Sequence, residues 1–315
     1  MFKKTMTRLV PFLPRFLVEK IAARYIAGTT VDEALRVSSG LAARGFVTTL
    51  DILGEDTMNE AQATAAVNAY LQLLHRLSDG GAPRNVSVKL TQLGLRLDES
   101  LAVENLTTLL VRAKELDAFV RIDMEDASWT DTTLRIHNAV AGKGYNTGTV
   151  LQARLKRTRS DAAALRNASI RLCKGAYKES PAVAYIRQLD IRRSYMDVFY
   201  TLIENGCRVA VATHDLKLIS RVKKAVARES IPKDRVEFQS LLGVPIRKTL
   251  EALRDEGFVV RLYVPFGDAS MSYSLRRLNE NPDLATAIVK SLFRRDRFDA
   301  AGVGAEGAAG IGQGC

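Results

Sequence analysis

The chain of 315 residues carries a formal net charge of +11, and 47% of its residues are hydrophobic. This length and apolar content suit one large α/β domain. No uncharged apolar stretch reaches the ~18 residues of a membrane-spanning helix, and Pro11 and Pro14 interrupt the basic, apolar N-terminus, which is unlike a signal peptide.

The cysteines and basic residues narrow the setting further. Cys173, Cys207 and Cys315 show no paired spacing, which predicts a reducing, cytoplasmic compartment and no metal site. Aromatic residues are not interleaved with the basic ones, so the stacking surface of a nucleic-acid-binding protein is missing. An anionic ligand therefore accounts for the charge better than nucleic acid does. Peripheral contact with the inner face of an anionic membrane is a further alternative.

Residues 1–45 are predicted to form an N-terminal helical arm that packs on the main domain. Phe16, Ile21 and Tyr25 give this segment an apolar stripe, and Thr30 or Asp32 can cap a helix that begins near residue 31. Because basic and apolar residues mix here, a helix lying on a membrane surface is the alternative interpretation.

From residue 46 onward, strand-like and helix-like segments alternate. The predicted strands cover 46–53, 85–91, 119–125, 149–155, 169–174, 208–214, 236–241 and 259–264. The predicted helices cover 59–77, 101–116, 130–141, 160–166, 182–205, 216–227 and 244–255, and an eighth contains Arg276 and Arg277. This order predicts an α/β fold, a (β/α)₈ TIM-type barrel at 46–299 whose regularity is left open. The Gly/Ala-rich residues 300–315 are predicted to be a disordered tail.

In such a barrel the functional site lies at the carboxyl ends of the strands. Polar residues collect at the predicted ends: Asp51, Lys89, Arg121, Asp123, Glu125, Gln152, Arg171, Lys174, His214, Gln239, Arg261 and Tyr263. Alternation places Arg261 and Tyr263 on one face of the last strand, which suits the binding of a small anion. An Arg121–Asp123 ion pair below the site is the plainer reading of those two residues. Together, so many charges at one mouth predict a ligand with several negative charges, such as a dinucleotide.

Several short segments carry a resemblance to a known family. They are LGE at 53–55, SVKLTQLG at 87–94, RIDMED at 121–126, LQARL at 151–155, RLCKGAYKE at 171–179, VATHD at 211–215, and YVPFG from 263 followed by YSLRRL from 273. In this order and context the chain resembles proline dehydrogenase of the monofunctional bacterial type. That family consists of flavin-dependent barrels that oxidise L-proline to Δ1-pyrroline-5-carboxylate, the first step of proline catabolism.

The resemblance implies a role for individual residues. The carboxylate of proline would be held by Lys89, Arg276 and Arg277, and its ring would pack against Tyr263, Tyr273 and Leu172. Glu55 would close the site as a gate partner of the first arginine. The flavin would be FAD, with Asp123 and Arg171 as catalytic residues and with further contacts from Met124, Gln152, Lys174, Gly175, Ala176, Thr213, His214 and Glu280. Hydride would pass to the flavin, and the electrons would pass on to a quinone.

Two departures from the family pattern bear on the substrate. Ser270 and Met271 stand where the family usually has aromatic residues, which leaves hydroxyproline or another cyclic imino acid open as a substrate. Cys173 replaces the usual valine, which we interpret as a packing substitution. The alternative function is that of a flavin barrel of the methylenetetrahydrofolate reductase type, with a nicotinamide donor. A non-catalytic basic binding protein on the same scaffold is the alternative from a different class.

Overall fold

The computed structural model describes residues 24–79 and 84–267, together with Phe298. Several sequence-based predictions lie outside these residues. They concern the segment before residue 24, the tail after residue 299, Ser270, Met271, and the eighth helix with Tyr273, Arg276, Arg277 and Glu280.

The described residues form a closed barrel of eight parallel strands in sequence order. The strands are β1 (Val47–Ile52), β2 (Asn85–Val88), β3 (Phe119–Ile122), β4 (Thr147–Gln152), β5 (Ser169–Cys173), β6 (Arg208–Ala212), β7 (Val236–Leu241) and β8 (Val259–Phe266). The sheet closes where β8 pairs in parallel with β1, with Val47 opposite Arg261 and Ile52 opposite Phe266. The predicted (β/α)₈ barrel is therefore confirmed.

Helices alternate with these strands and surround them. They are α1 (Val31–Ala42), α2 (Glu60–Asp79), α3 (Glu99–Glu115), α4 (Thr130–Ala141), α5 (Thr158–Ala164), α6 (Gln188–Glu204), α7 (Leu216–Arg228) and α8 (Arg247–Asp255), with 3₁₀ turns at Ala127–Trp129 and Lys233–Arg235. The predicted start of α1 near residue 31 is confirmed, because Thr30 and Glu33 form a reciprocal capping box there. No described helix is long and apolar enough to cross a membrane.

Helix α6 begins six residues later than the sequence predicts, at Gln188 rather than 182. The residues before it are held in an extended bridge instead: Ala184 pairs antiparallel with Leu155, and the Tyr185 backbone N–H donates to the Arg154 carbonyl at 2.7 Å. This pairing is between distant parts of the chain, so the local helical pattern could not reveal it.

The hydrophobic core lies between the barrel and its helices. Along β5, Ile170 and Leu172 are fully buried and belong to this core, whereas Arg171 between them contacts residues of β2, β3 and β7 across the lumen. Alternation thus sends the apolar side chains outward and the polar ones inward. Burying each large aliphatic side chain contributes about 1.5–3 kcal/mol to stability, so the outer layer can support a polar interior.

Candidate active site

The lumen of the barrel contains two polar layers, which we call the upper layer and the lower layer. The upper layer lies at the carboxyl ends of the strands and consists of Asp51, Lys89, Asp123, Arg171 and Tyr263. The lower layer lies at the amino ends and consists of Arg121, Glu237 and Arg261. Inward side chains two residues apart on one strand differ in height by about 7 Å, which separates the layers.

This separation corrects two sequence-based expectations. Arg261 lies near the beginning of β8 and pairs with Glu237 through Nε–Oε1 (2.7 Å) and Nη2–Oε2 (2.9 Å), so it does not join Tyr263 at the mouth. Arg121 likewise lies in the lower layer, and the Arg121–Asp123 ion pair is not formed. Arg121 and Arg261 point into the lumen as expected. Each lies one layer below the residue two positions later, Asp123 or Tyr263.

Asp123 is the centre of the upper layer. Arg171 Nη1 donates to Asp123 Oδ1 at 2.5 Å, and the Tyr263 hydroxyl donates to Asp123 Oδ2 at 2.8 Å. The guanidinium of Arg171 also lies 5.1 Å from the centroid of the Tyr263 ring. Arg171 Nε donates to Gln239 Oε1 at 2.7 Å. With these contacts from β3, β5, β7 and β8, the orientations of the carboxylate and the guanidinium are fixed before any ligand binds.

Lys89 lies beside this centre. Its Nζ is 2.9 Å from Asp51 Oδ1 and 3.9 Å from Asp123 Oδ2. Burial opposes the charge of Lys89, but the attraction of Asp51 and Asp123 outweighs burial and raises the pKa of Lys89 well above its ordinary value. Lys89 is therefore a buried amine whose protonated form is favoured by its neighbours.

The charges of the upper layer balance one another within the described residues. Two cations, Lys89 and Arg171, face two carboxylates, Asp51 and Asp123. The upper layer by itself therefore shows no cationic excess, and the anionic ligand expected at the mouth stays a prediction. Arg276 and Arg277, which the resemblance assigns to the mouth, lie outside the described residues.

A cavity of about 260 Å³ opens above the upper layer. Its floor is polar and includes Lys89, Asp123 and Arg171, while Val150 and Val244 contribute to apolar walls. The sequence-predicted residues that meet here are Lys89, Asp123, Met124, Gln152, Arg171, Ala176, Thr213, His214 and Tyr263. Polar donors on one side and apolar walls on the other are the surroundings that a flat, partly polar ring system requires.

Comparison with known proteins identifies the family. The sequence profile of the family described as Proline dehydrogenase matches residues 34–289. Proline dehydrogenase 1 of Bacillus subtilis (strain 168) is 35% identical over 276 residues, which cover 87% of this chain and 91% of the relative. The chain belongs to the proline dehydrogenase family. Proline dehydrogenase of Deinococcus radiodurans is 33% identical over 290 residues, covering 90% of this chain and 93% of the relative.

A solved structure agrees with this assignment. The crystal structure of proline utilization A (PutA) from Bdellovibrio bacteriovorus inactivated by N-propargylglycine superposes with a TM-score of 0.78 at 26% identity, over 93% of this chain and 36% of that chain. Both the barrel and its family are therefore established from independent comparisons.

Not every site residue expected from this family lines the cavity. Leu172 is fully buried in the outer core, and its carbonyl accepts from the Tyr195 hydroxyl at 2.7 Å. The ring-packing role expected for Leu172 is therefore corrected: alternation along β5 turns Cys173, not Leu172, towards the cavity. Cys173 was read from sequence only as a packing substitution, although the inward position of Arg171 was a signal for it.

The loop after β5 approaches the cavity through its backbone. Gly175 has φ +101°, and a Cβ there would lie 2.7 Å from Arg154 Cδ, so both conformation and space require glycine. The Lys174 ammonium turns away, to Gln188 Oε1 (2.6 Å) and Asp215 Oδ2 (3.2 Å). Tyr177, which sequence reasoning missed, follows in the same loop and lines the cavity.

Glu125 is a buried acid beside the site, and the family resemblance assigned it no role. Its carboxylate accepts from the Thr91 backbone N–H at 3.1 Å and from the Thr91 hydroxyl. Thr91 in turn binds the loop that carries Glu55, since its hydroxyl accepts from the Asp56 N–H at 3.2 Å. Burial raises the pKa of Glu125 to about 7, and the hydrogen bonds from Thr91 only partly oppose it. Glu125 thus connects the end of β3 to the loop after β1.

Proposed function

We propose that this protein oxidises L-proline to Δ1-pyrroline-5-carboxylate with FAD as its cofactor. The observation that carries the proposal is the convergence of Lys89, Arg171 and Tyr263 on Asp123 beneath the cavity, in a chain of the proline dehydrogenase family. Each of these residues stands at a different strand end, so the arrangement exists only in the folded barrel.

The residues that line the cavity support binding of the flavin ring of the cofactor that the family implies. Asp123, Met124, Gln152 and Arg171 would lie about the flavin ring, the backbone at Gly175 would let its phosphate-bearing chain approach closely, and Thr213 with His214 would lie farther along it. A bound flavin supplies the capacity to accept a hydride equivalent from a carbon next to an amine nitrogen. The positive charge of Arg171 would stabilise the electron-rich reduced form of the flavin ring.

The residues of the chain bind and orient the substrate. The protonated Lys89 attracts the carboxylate of proline, and Tyr263 forms part of the wall against which its ring lies. Arg276 and Arg277 complete the carboxylate clamp in this proposal, with Glu55 as gate, Tyr273 as a second ring contact and Glu280 at the cofactor's far end. Asp123 keeps Arg171 and Tyr263 in one geometry, so little reorganisation is needed when the substrate enters.

The reduced flavin must then pass its electrons to an acceptor. A quinone is the acceptor, and the net charge of +11 suits transient contact with the anionic inner face of a membrane from a cytoplasmic location. In this proposal residues 46–299 are the catalytic domain, and residues 1–45 and 300–315 lie outside it.

A visible spectrum of the purified protein tests the proposal. We expect the absorption of an oxidised flavin, which bleaches when L-proline is added without oxygen and does not bleach with NADH. Reduction by NADH but not by proline would favour the methylenetetrahydrofolate reductase type of barrel. A colourless protein that takes up no FAD would favour a non-catalytic binding protein, and either result overturns the proposal.

A further inference from the structure

A second and larger cavity opens at the opposite end of the barrel, at the amino ends of the strands. Its volume is about 940 Å³, compared with about 260 Å³ for the cavity above the upper layer. The lower layer of Arg121, Glu237 and Arg261 lines it from inside the lumen, and Arg208 lines it from the exposed side. No part of the proposed proline oxidation uses this end of the barrel.

The lower layer is not electrically balanced. Glu237 is engaged by Arg261 through two hydrogen bonds, and Gln239 Nε2 donates to Glu237 Oε1 at 2.5 Å. Arg121 has only neutral partners among the described residues: the carbonyls of Thr149 (3.0 Å) and Ser169 (2.6 Å) and the Ser169 hydroxyl. Glu237 is therefore the partner of the half-buried Arg261, and no described acid pairs with the buried Arg121.

Arg121 also retains an unused donor. The side chain is only 4% exposed, and its buried Nε has no hydrogen-bond partner among the residues that the structure describes. The guanidinium also lies 4.6 Å from the centroid of the Phe119 ring. The pKa of Arg121 is lowered to about 9, first by burial and then by repulsion from Arg171 and Arg261, which the more distant Glu237 and Asp123 only partly oppose. A buried guanidinium without an acid partner is costly unless a ligand supplies the missing negative charge.

Other arginines at this end have an ordinary structural explanation. Arg235 Nη2 donates to the carbonyls of Ile203 (2.7 Å) and Cys207 (2.9 Å) at the end of α6, and Arg166 Nη1 donates to the Leu165 carbonyl (2.9 Å) at the end of α5. These two side chains satisfy carbonyls that helix ends leave without intrahelical partners. Arg121 differs because it lies inside the lumen, faces the cavity and is incompletely bonded.

We infer that the amino-terminal cavity binds a small oxyanion of the phosphate or carboxylate class, with Arg121 as its buried ligand and Arg208 at its entrance. A guanidinium donates directional hydrogen bonds to the oxygens of such groups. The cavity volume of about 940 Å³ leaves room for a metabolite that carries the anionic group. Asp234, which also lines the cavity, disfavours ligands that carry negative charge throughout.

Calorimetric titration of the flavin-loaded full-length protein with inorganic phosphate, acetate and succinate at constant ionic strength tests the inference. We expect saturable binding by at least one of these anions. Arg121→Gln should weaken it by about tenfold or more, because one charge-assisted contact contributes on that scale. Arg228→Gln, which removes an equal charge from exposed α7 outside the cavity, is the matched control and should bind as the unmodified chain does.

Two further variants keep the inference falsifiable if Arg121→Gln does not fold. Arg208→Gln changes only an exposed entrance residue and should weaken anion binding several-fold. Lys89→Met changes the upper layer, so it should weaken only the carboxylate binding that belongs to the proposed proline site and leave the binding that Arg208→Gln weakens. Absence of saturable binding, equal weakening by Arg228→Gln, or loss of binding in Lys89→Met but not in Arg208→Gln would overturn the inference. Phosphate binding without carboxylate binding, or the reverse, decides the ligand class.

Discussion

Both layers of the barrel lumen contain basic and acidic side chains, but the ratio of basic to acidic residues differs between them. In the upper layer, Lys89 pairs with Asp51 and Arg171 pairs with Asp123. In the lower layer, Glu237 pairs with Arg261 and no described acid pairs with Arg121. The number of charged residues at one end of a barrel therefore says less than how those charges are paired.

Two buried ionisable side chains, one near each layer, show what happens when no oppositely charged side chain is hydrogen-bonded to them. Glu125, near the upper layer, is held by the N–H and hydroxyl of Thr91, and the pKa of Glu125 is raised to about 7. The pKa of Arg121, in the lower layer, is lowered to about 9. Both shifts favour the neutral form, because burial penalises charge more than neutral hydrogen-bonding groups can offset. Lys89 shows the opposite outcome, since its carboxylate neighbours raise its pKa.

The largest effect is expected from breaking the centre of the upper layer with Asp123→Asn. The amide cannot accept from both Arg171 and Tyr263 as the carboxylate does, and it leaves a buried cation without its partner. We expect kcat/KM for proline to fall by about 100-fold or more, and stability to fall by about 3 kcal/mol. Steady-state kinetics and chemical denaturation measure the two effects.

The matched control for this change is Asp131→Asn, which removes the same charge from an exposed ion pair with Arg157. Its effect should stay within about 1 kcal/mol of stability, because exposed ion pairs contribute little. If Asp123→Asn behaved like Asp131→Asn, the upper layer would not be the centre of the site.

Glu125→Gln tests the buried acid with neutral partners. The folded state keeps a proton on Glu125 up to a pH of about 7, whereas the unfolded state loses it near the ordinary pKa of 4.5. The stabilising effect of this proton is complete below pH 4.5 and is lost as pH rises through about 7. Relative to the glutamine variant, the unmodified chain should therefore lose up to roughly 3 kcal/mol over this range. Denaturation at a series of pH values measures it, and parallel curves for the two proteins would contradict the assignment.

Arg277→Met tests where the cationic excess of the mouth comes from. Since Lys89 and Arg171 are neutralised within the described upper layer, the substrate carboxylate must obtain much of its binding from the arginine pair of the YSLRRL segment. We expect KM for proline to rise by about 30-fold while the flavin stays bound. Kinetics together with the flavin spectrum check both parts, and unchanged proline kinetics would remove Arg277 from the clamp.

The barrel could be predicted from the sequence because strand and helix periodicities alternate and are local properties. The height of a residue in the lumen could not, since β2 and β3 have only four residues each and a shift of two residues moves a side chain from one layer to the other. On β8, Arg261 was assigned to the mouth because it lies only two residues before Tyr263. The Lys89–Asp51 pair depends on the stagger between β1 and β2, which no single-strand pattern contains.

The family resemblance and the local pattern also gave different answers at β5. Alternation alone directs Arg171 and Cys173 inward and Leu172 into the core, and the structure agrees with alternation. The resemblance implied a contact for Leu172 with the substrate. Periodicity placed Lys89, Asp123, Gln152, His214 and Tyr263 at strand ends. Their roles came from the resemblance, because those roles depend on distant partners that periodicity does not specify.

The smallest effect is expected from the residue that joins the two layers, Gln239. Its Oε1 accepts from Arg171 Nε at 2.7 Å, and its Nε2 donates to Glu237 Oε1 at 2.5 Å. Gln239→Leu would leave one donor of Arg171 unmatched while the Arg171–Asp123 and Arg261–Glu237 pairs persist, so we expect kcat/KM to fall by only about fivefold, near 1 kcal/mol. Gln239→Glu keeps the acceptor for Arg171 but sets an acid beside Glu237, and should recover part of the activity at a cost in stability. A loss as large as that of Asp123→Asn would mean that the two layers act as one network rather than as separate sites.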